Sequence, residues 1–146
     1  LASTGLLRIL IAEDNEVNQR LATMVLEIGG HKSEIAADGL IALEKALSED
    51  YDLILMDCQM PRMDGYEATR KIRQRLTRHI PIIGLTASAL IQDRQECIDA
   101  GMDDYLSKPY RANQLLEIVA RWASEPCGSS GSYSPSADTR PESSAS

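Results

Sequence analysis

The sequence predicts an α/β fold, a parallel sheet covered by helices on both faces. Three observations carry that prediction. Five short, mostly apolar runs recur along the chain, each too short to be a helix of its own. Stretches with helical spacing of apolar residues lie between them. The junctions are brief and polar. Strands alternating with helices over short loops imply parallel strands, buried on both sides. The 146 residues suit one domain with a tail. Apolar residues make up 43%, enough for a core, and with no Phe that core must use Leu, Ile, Val, Met and Ala.

Leu6 to Ala12 (LLRILIA) reads as the first buried strand. Glu13-Asp14-Asn15 starts a helix, in which Val17, Leu21, Met24, Val25 and Ile28 fall at helical spacing, and Gly29-Gly30 ends it. Lys32 to Ala37 reads as the second strand. Asp38-Gly39 then turns into a helix with Leu40, Leu43 and Leu47 on one face. The third strand, Leu53 to Asp57, rises through apolar residues and stops at a carboxylate. Met60-Pro61 and Asp64-Gly65 break the chain after it. Tyr66 to Leu76 is helical, with cations near its end where they suit the dipole. Pro81 to Thr86 is the fourth strand, and a helix from Leu90 to Ala100 stops at Gly101. Asp104 to Ser107 is a short fifth strand. Lys108-Pro109 follows, then a last helix over Asn113 to Ala123. The domain is therefore expected over 6–123. Residues 124–146 are rich in Ser, Pro and Gly and read as a disordered tail or linker, since they bury too little to offset ordering entropy.

The formal charge is −7, an acidic balance that argues against a nucleic-acid partner. No run approaches the ~20 apolar residues of a membrane span. No signal peptide is legible, and the Leu1 start is expected of an excised or processed chain. Cys58, Cys97 and Cys127 form neither a disulfide framework nor a zinc pattern and read as plain thiols in a reducing compartment. His31 and His79 lie far apart, each near a turn or strand start, and are not expected to be ligands or catalysts.

In an open parallel sheet, ligands bind at the carboxyl ends of the strands. Strand one ends in Glu13-Asp14, strand three in Asp57, strand four in Thr86 and strand five in Lys108. Three carboxylates, a hydroxyl and an ammonium therefore converge on one edge. Oxygen-only carboxylate clusters suit a hard cation such as Mg²⁺. Without one, close carboxylates repel and a pKa rises. A lysine and a hydroxyl facing the cluster can stabilise an anionic group transferred to Asp57. Carboxylate nucleophile, divalent metal, lysine and hydroxyl together describe phosphoryl transfer to aspartate.

The stretches "ILIAEDNEVNQ", "LILMDCQMPRMDGYEATRKIR", "IIGLTA" and "DDYLSKPY" carry a further signal. In that order and at those intervals, the chain resembles a response-regulator receiver domain of two-component signalling. "AEDNEVNQ" and "MDCQMPRMDG" are similar in style to the receivers of hybrid sensor histidine kinases. The resemblance implies a doubly wound, flavodoxin-like sheet of order 2-1-3-4-5. It implies that Asp57 takes a phosphoryl group from a phosphohistidine. Mg²⁺ would be held by Asp14, Asp57 and the backbone carbonyl of Gln59, with Glu13, where many members carry Asp, acting mostly through water. Thr86 and Lys108 would hold the phosphoryl oxygens, and Thr86 with Tyr105 would form the switch. A cis bond between Lys108 and Pro109 would orient the lysine.

The same resemblance implies a histidine kinase or histidine phosphotransfer protein as partner. It implies a monomer or a weak phosphorylation-dependent dimer, a cytoplasmic location, and no enzymatic activity beyond self-catalysed phosphotransfer and dephosphorylation. Two other readings stay open at this stage. A phosphatase of the haloacid-dehalogenase type also forms an aspartyl phosphate on an α/β sheet, but "DCQMP" lacks its second aspartate and Asp57 lies on strand three. A docking module that kept the fold without phosphorylation would have lost the acidic pair, Asp57 or Lys108, and all are present.

Overall fold

The strands alternate with a period of two, and that alternation divides the core. The computed structural model describes residues 7–87 and 91–123. Leu6, Leu90, Cys127 and the 124–146 segment, all assigned above, lie outside the described residues. The elements run β1 (Arg8–Ala12), α1 (Glu16–Ile28), β2 (Lys32–Ala36), α2 (Gly39–Ser48), β3 (Leu53–Asp57), α3 (Gly65–Arg75), β4 (Ile82–Thr86), α4 (Ile91–Ala100), β5 (Asp104–Ser107) and α5 (Ala112–Ala123). The strands pair in parallel in the order β2-β1-β3-β4-β5. This is the doubly wound, flavodoxin-like order that the resemblance implies.

On one face Leu10, Ala12, Ile54, Met56 and Ile82 pack under α2, α3 and α4. On the other Ile9, Ile11, Leu53, Leu55, Ile83 and Leu85 pack under α1 and α5. Adjacent residues on one strand serve opposite layers. The three central strands are thus apolar on both faces between polar ends, while edge strands β2 and β5 are only part-buried.

Side chains set the helix starts. Asn15, Asp38 and Asp64 each cap a helix by accepting from the N–H three residues on, at 2.9 to 3.1 Å. Gly65 must be glycine for a separate reason. A Cβ there would lie 2.2 Å from the carbonyl oxygen of Asp57. Its absence lets α3 begin directly against the end of β3, and Gly65 N–H donates to the Cys58 carbonyl at 3.1 Å.

Most of the large apolar residues at helical spacing on α1 face outward. The helical periodicity of α1 picks out Val17, Leu21, Met24, Val25 and Ile28. Of these only Val25 is buried; Val17 is 74%, Met24 59% and Ile28 76% exposed. The face turned inward carries Ala22, Val25 and Leu26. Periodicity finds an apolar stripe but not which stripe meets the sheet. Ala22 is small enough for a close approach to the layer shared with α5, so that stripe goes inward and the bulkier one faces outward.

Candidate acidic site at the carboxyl edge of the sheet

The carboxyl ends of β1, β3, β4 and β5 meet where the strand order reverses, on either side of β1. Glu13 follows β1 and is buried; Asp57 closes β3 and is buried; Asp14 is exposed at the rim. One carboxylate oxygen from each of the three lies within 4.8 Å of the others. Lys108, just past β5, reaches back into this cluster. Its Nζ donates to Glu13 Oε1 at 2.8 Å and to Asp57 Oδ2 at 3.0 Å.

The backbone fixes the remaining geometry. Gln59 N–H donates to Asp57 Oδ1 at 3.1 Å, so the carboxylate is held on both oxygens. Lys108 N–H donates to the Thr86 carbonyl at 2.7 Å, which ties the lysine to the end of β4. Thr86 itself is buried. The Lys108–Pro109 bond is cis. In the loop after β3, Arg62 adopts φ +67°, uncommon for a residue other than glycine. Its guanidinium pairs with Asp38 Oδ2 at 2.6 Å and so fastens that loop to the start of α2.

Tyr105 stands apart from the cluster. It lies on β5, half-buried against the α2-α3-α4 layer, with the Arg94 guanidinium of α4 5.5 Å from its ring centroid. The two histidines are also elsewhere. His31 is buried and its Nδ1 accepts from Leu7 N–H at 3.3 Å, while His79 is exposed and bonds Asp103 at 2.8 Å.

Several residues that hold the site had no signal in the reading of strand ends. Gln19 Nε2 donates to the Glu13 carbonyl at 2.7 Å, and Asn15 N–H donates to Glu13 Oε2 at 3.1 Å. Asn18 Nδ2 lies 3.5 Å from the same oxygen. They come from the first turns of α1, so only the way the helix leaves β1 brings them back to Glu13. Asn18 and Leu21 also line a cleft of about 340 Å³ with Ala87, Lys108, Pro109 and Tyr110, beside the carboxylates.

Burial and crowding set the charge states. Burial, and then the neighbouring Glu13 carboxylate, push Asp57 up to about 6, against the opposing pull of Lys108. Burial would raise Glu13 as well, but its hydrogen bonds with Lys108 and Asn15 hold it below its usual value. Burial works against the Lys108 ammonium, yet its two carboxylate partners raise its pKa. Three carboxylates and one ammonium leave a local formal charge of −2. All-oxygen donors with that excess charge fit a hard divalent cation.

The model for the response regulator receiver domain matches residues 9–120. The chain belongs to that family. Among curated relatives, the sensor histidine kinase GacS of Pseudomonas protegens is 40% identical over 119 residues, covering 79% of this chain and 13% of that protein. Histidine kinase 1 of Arabidopsis thaliana is 42% identical over 77% of this chain and 12% of that protein. The receiver thus spans a small part of the curated relatives it matches. Of solved structures, the receiver domain of sensor histidine kinase PA1611 from Pseudomonas aeruginosa is 47% identical. It covers 80% of this chain and 97% of that one with a TM-score of 0.75, and holds a magnesium ion in its active-site cleft. The receiver of yeast Ssk1, solved with the histidine phosphotransfer protein Ypd1, is 28% identical, with a TM-score of 0.76 over 82% of this chain and 90% of that one. No helix among the described residues is long and apolar enough to cross a membrane.

The raised pKa of Asp57 has a stability consequence. Between 3.8, its ordinary value, and about 6, the folded receiver holds a proton that the unfolded chain releases. Stability must therefore fall as pH rises through that window. With chelator present, Asp57→Asn is expected to be more stable than wild type at pH 7.5, by about 2–3 kcal/mol, with the gap closing near pH 4. Urea unfolding at the two pH values measures it. An equal gap at both would assign the difference to packing instead of charge.

Proposed function

We propose that this receiver takes a phosphoryl group from a phosphohistidine onto Asp57, within the signalling chain of a hybrid sensor kinase or a response regulator. The observation that carries this reading is the shared ammonium. Lys108 bonds two buried carboxylates, and one of them, Asp57, is the last residue of the buried strand β3. Asp57 attacks phosphorus as the histidine N–P bond breaks, and the electron pair of that bond returns to the imidazole nitrogen. Lys108 then shifts its charge toward the phosphoryl oxygens, while Glu13 keeps the other side of the ammonium. The Thr86 hydroxyl donates to a phosphoryl oxygen from the end of β4.

Mg²⁺ would be held by Asp14, Asp57 and the Gln59 backbone carbonyl, with Glu13 through water. When bound, it neutralises the excess negative charge as the phosphoryl group arrives. The neighbour with magnesium in its cleft supports that assignment. The site therefore favours a phosphoacceptor over the haloacid-dehalogenase type of enzyme: its aspartate ends the third strand and accepts from Lys108.

The partner is read from the outward stripe of α1. Val17, Leu21, Met24 and Ile28 span about 16 Å of helix. The stripe begins at the cleft beside Lys108, because Leu21 belongs to both. An apolar helical stripe leading to the nucleophile suits a helical donor domain laid along it. Ssk1, whose receiver was solved with Ypd1, is the precedent among the neighbours.

For the switch, Thr86 and Tyr105 lie on adjacent strands, with Thr86 opposite Ser107 and Gly84 opposite Tyr105. A phosphoryl group adds up to about two negative charges. Thr86 moves toward it, and Tyr105 turns inward and leaves Arg94. This is a shift between two populations, driven by their different affinity for the phosphoryl group.

Three measurements follow. Incubation with acetyl phosphate and Mg²⁺ is expected to add one acid-labile phosphoryl group, abolished by Asp57→Asn and by chelator. Labelling of the Asp57→Asn chain at the wild-type rate would remove residue 57 from the mechanism. Met24→Glu is expected to slow transfer from a phosphorylated histidine phosphotransfer domain about tenfold, on the order of 1–2 kcal/mol. The same variant should label from acetyl phosphate at the wild-type rate; loss of both activities would mean that the substitution damages the site and not the docking face. Finally, Thr86→Ala should still bind the phosphoryl mimic beryllofluoride, but without the chemical-shift changes at Tyr105 and Arg94 seen in wild type. Identical shift changes in the two proteins would exclude the threonine–tyrosine relay.

A further inference from the structure

Directly behind Asp57, two thiols meet inside the core. Cys58 and Cys97 are both buried, and their Sγ atoms lie 3.9 Å apart although the residues are 39 positions apart in sequence. A glycine makes the meeting possible. A Cβ on Gly84 of β4 would stand 2.5 Å from Met102 Sδ, 3.2 Å from Cys97 Sγ and 3.4 Å from Cys58 Sγ. The missing side chain on β4 is the space that the sulfurs fill.

Each thiol lies beside a part of the site without touching its carboxylates or lysine. Cys58 sits between Asp57 and Gln59. Its N–H donates to the Leu85 carbonyl at 2.9 Å, and its own carbonyl accepts from Gly65. Cys97 belongs to α4, the helix whose Arg94 stacks on Tyr105. Among the described residues of α4, only Cys97 and Ala100 are buried, and Ile98 is 57% exposed. A helix anchored by so few buried side chains opens locally at low cost. Such opening would give solvent access to Cys97, which α4 carries.

We propose that Cys58 and Cys97 are a thiol modification site, oxidised by a hydroperoxide to a reversible disulfide that slows phosphorylation of Asp57. The inference rests on Asp57 being the phosphoacceptor. In the first step the Cys97 sulfur takes a hydroxyl from hydrogen peroxide, giving a sulfenic acid and one water. In the second the Cys58 sulfur attacks the sulfenic sulfur. The S–S bond forms, the S–O bond breaks, and the hydroxide leaves with the Cys58 proton as a second water. Two thiols and one peroxide thus become one disulfide and two waters.

Closing the gap from 3.9 Å to the bond length of about 2.05 Å pulls the residue after Asp57 toward α4. It also ties α4 to β3 across β4. Both the loop that carries the Gln59 carbonyl and the helix that must part from Tyr105 lose freedom.

The test uses the full chain with Cys127→Ser, so that only the buried pair reacts. Hydrogen peroxide treatment, alkylation in denaturant and peptide mapping are expected to show a Cys58–Cys97 disulfide that dithiothreitol reverses. Labelling of Asp57 by acetyl phosphate should fall about tenfold or more on oxidation and recover on reduction, within the usual range of coupling between sites. Cys97→Ala should label like the reduced chain with or without peroxide. Reduced and oxidised wild type give the same comparison should that variant not fold. Free thiols at both positions after oxidation, or a disulfide that leaves the labelling rate unchanged, would overturn the inference. Failure of the reduced chain to label at all would instead overturn the assignment of Asp57.

Discussion

The ammonium of Lys108 shared between Glu13 and Asp57 joins three strands that are far apart in the chain. Glu13 lies 95 residues from Lys108, and Asp57 lies 51 from it. Neither carboxylate could be buried alone without neutralising, because the charged form loses its hydration. Lysine supplies part of what water would have given, yet Asp57 still sits at about 6. The site therefore stores an excess of negative charge, which a bound divalent cation would relieve and which the proposed phosphoryl group would increase. The sheet bears the cost by over-determining the positions: β1, β3 and β4 are apolar on both faces and cannot shift register to relax the cluster.

Rigidity at the sheet contrasts with economy at two of its helices. α1 turns a small stripe inward and leaves four large apolar side chains in solvent. α4 is pinned at Cys97 and Ala100 among its described residues. These helices flank the site on opposite faces of the sheet, α1 beside the cleft mouth and α4 behind β4 and β5. The division fits a molecule that receives on one side and reports on the other. An outward stripe makes a partner welcome, and a lightly held helix can change place when the charge at Asp57 changes. The buried sulfurs lie on the α4 side of the sheet, and Cys58 is the residue after Asp57.

Much of this was legible in the chain itself. Strand and helix order followed from the period of the apolar residues, and Asn15, Asp38 and Asp64 stood where helix caps belong. The site residues were legible because topology does the work: once the strands are parallel, whatever ends them must share one edge. Glu13, Asp14, Asp57 and Lys108 lie at or just past strand ends, so their meeting at one edge needed no coordinates. The family motifs added the order of the strands, which periodicity alone leaves open.

Tertiary structure decided what depends on contact between distant elements. Period 3.6 marked an apolar stripe on α1, but the fit of Ala22 against the α5 layer chose which stripe is buried. Asn18 and Gln19 look like ordinary surface residues until the exit angle of α1 returns them to Glu13. Cys58 and Cys97 read as unrelated thiols, and only the empty side of Gly84 brings them to 3.9 Å. Sequence by itself determines which groups each strand end carries, because that is set by local pattern and chain direction. Which groups touch, and which of them share a charge, is set by packing, where volumes and angles from several elements must agree at once.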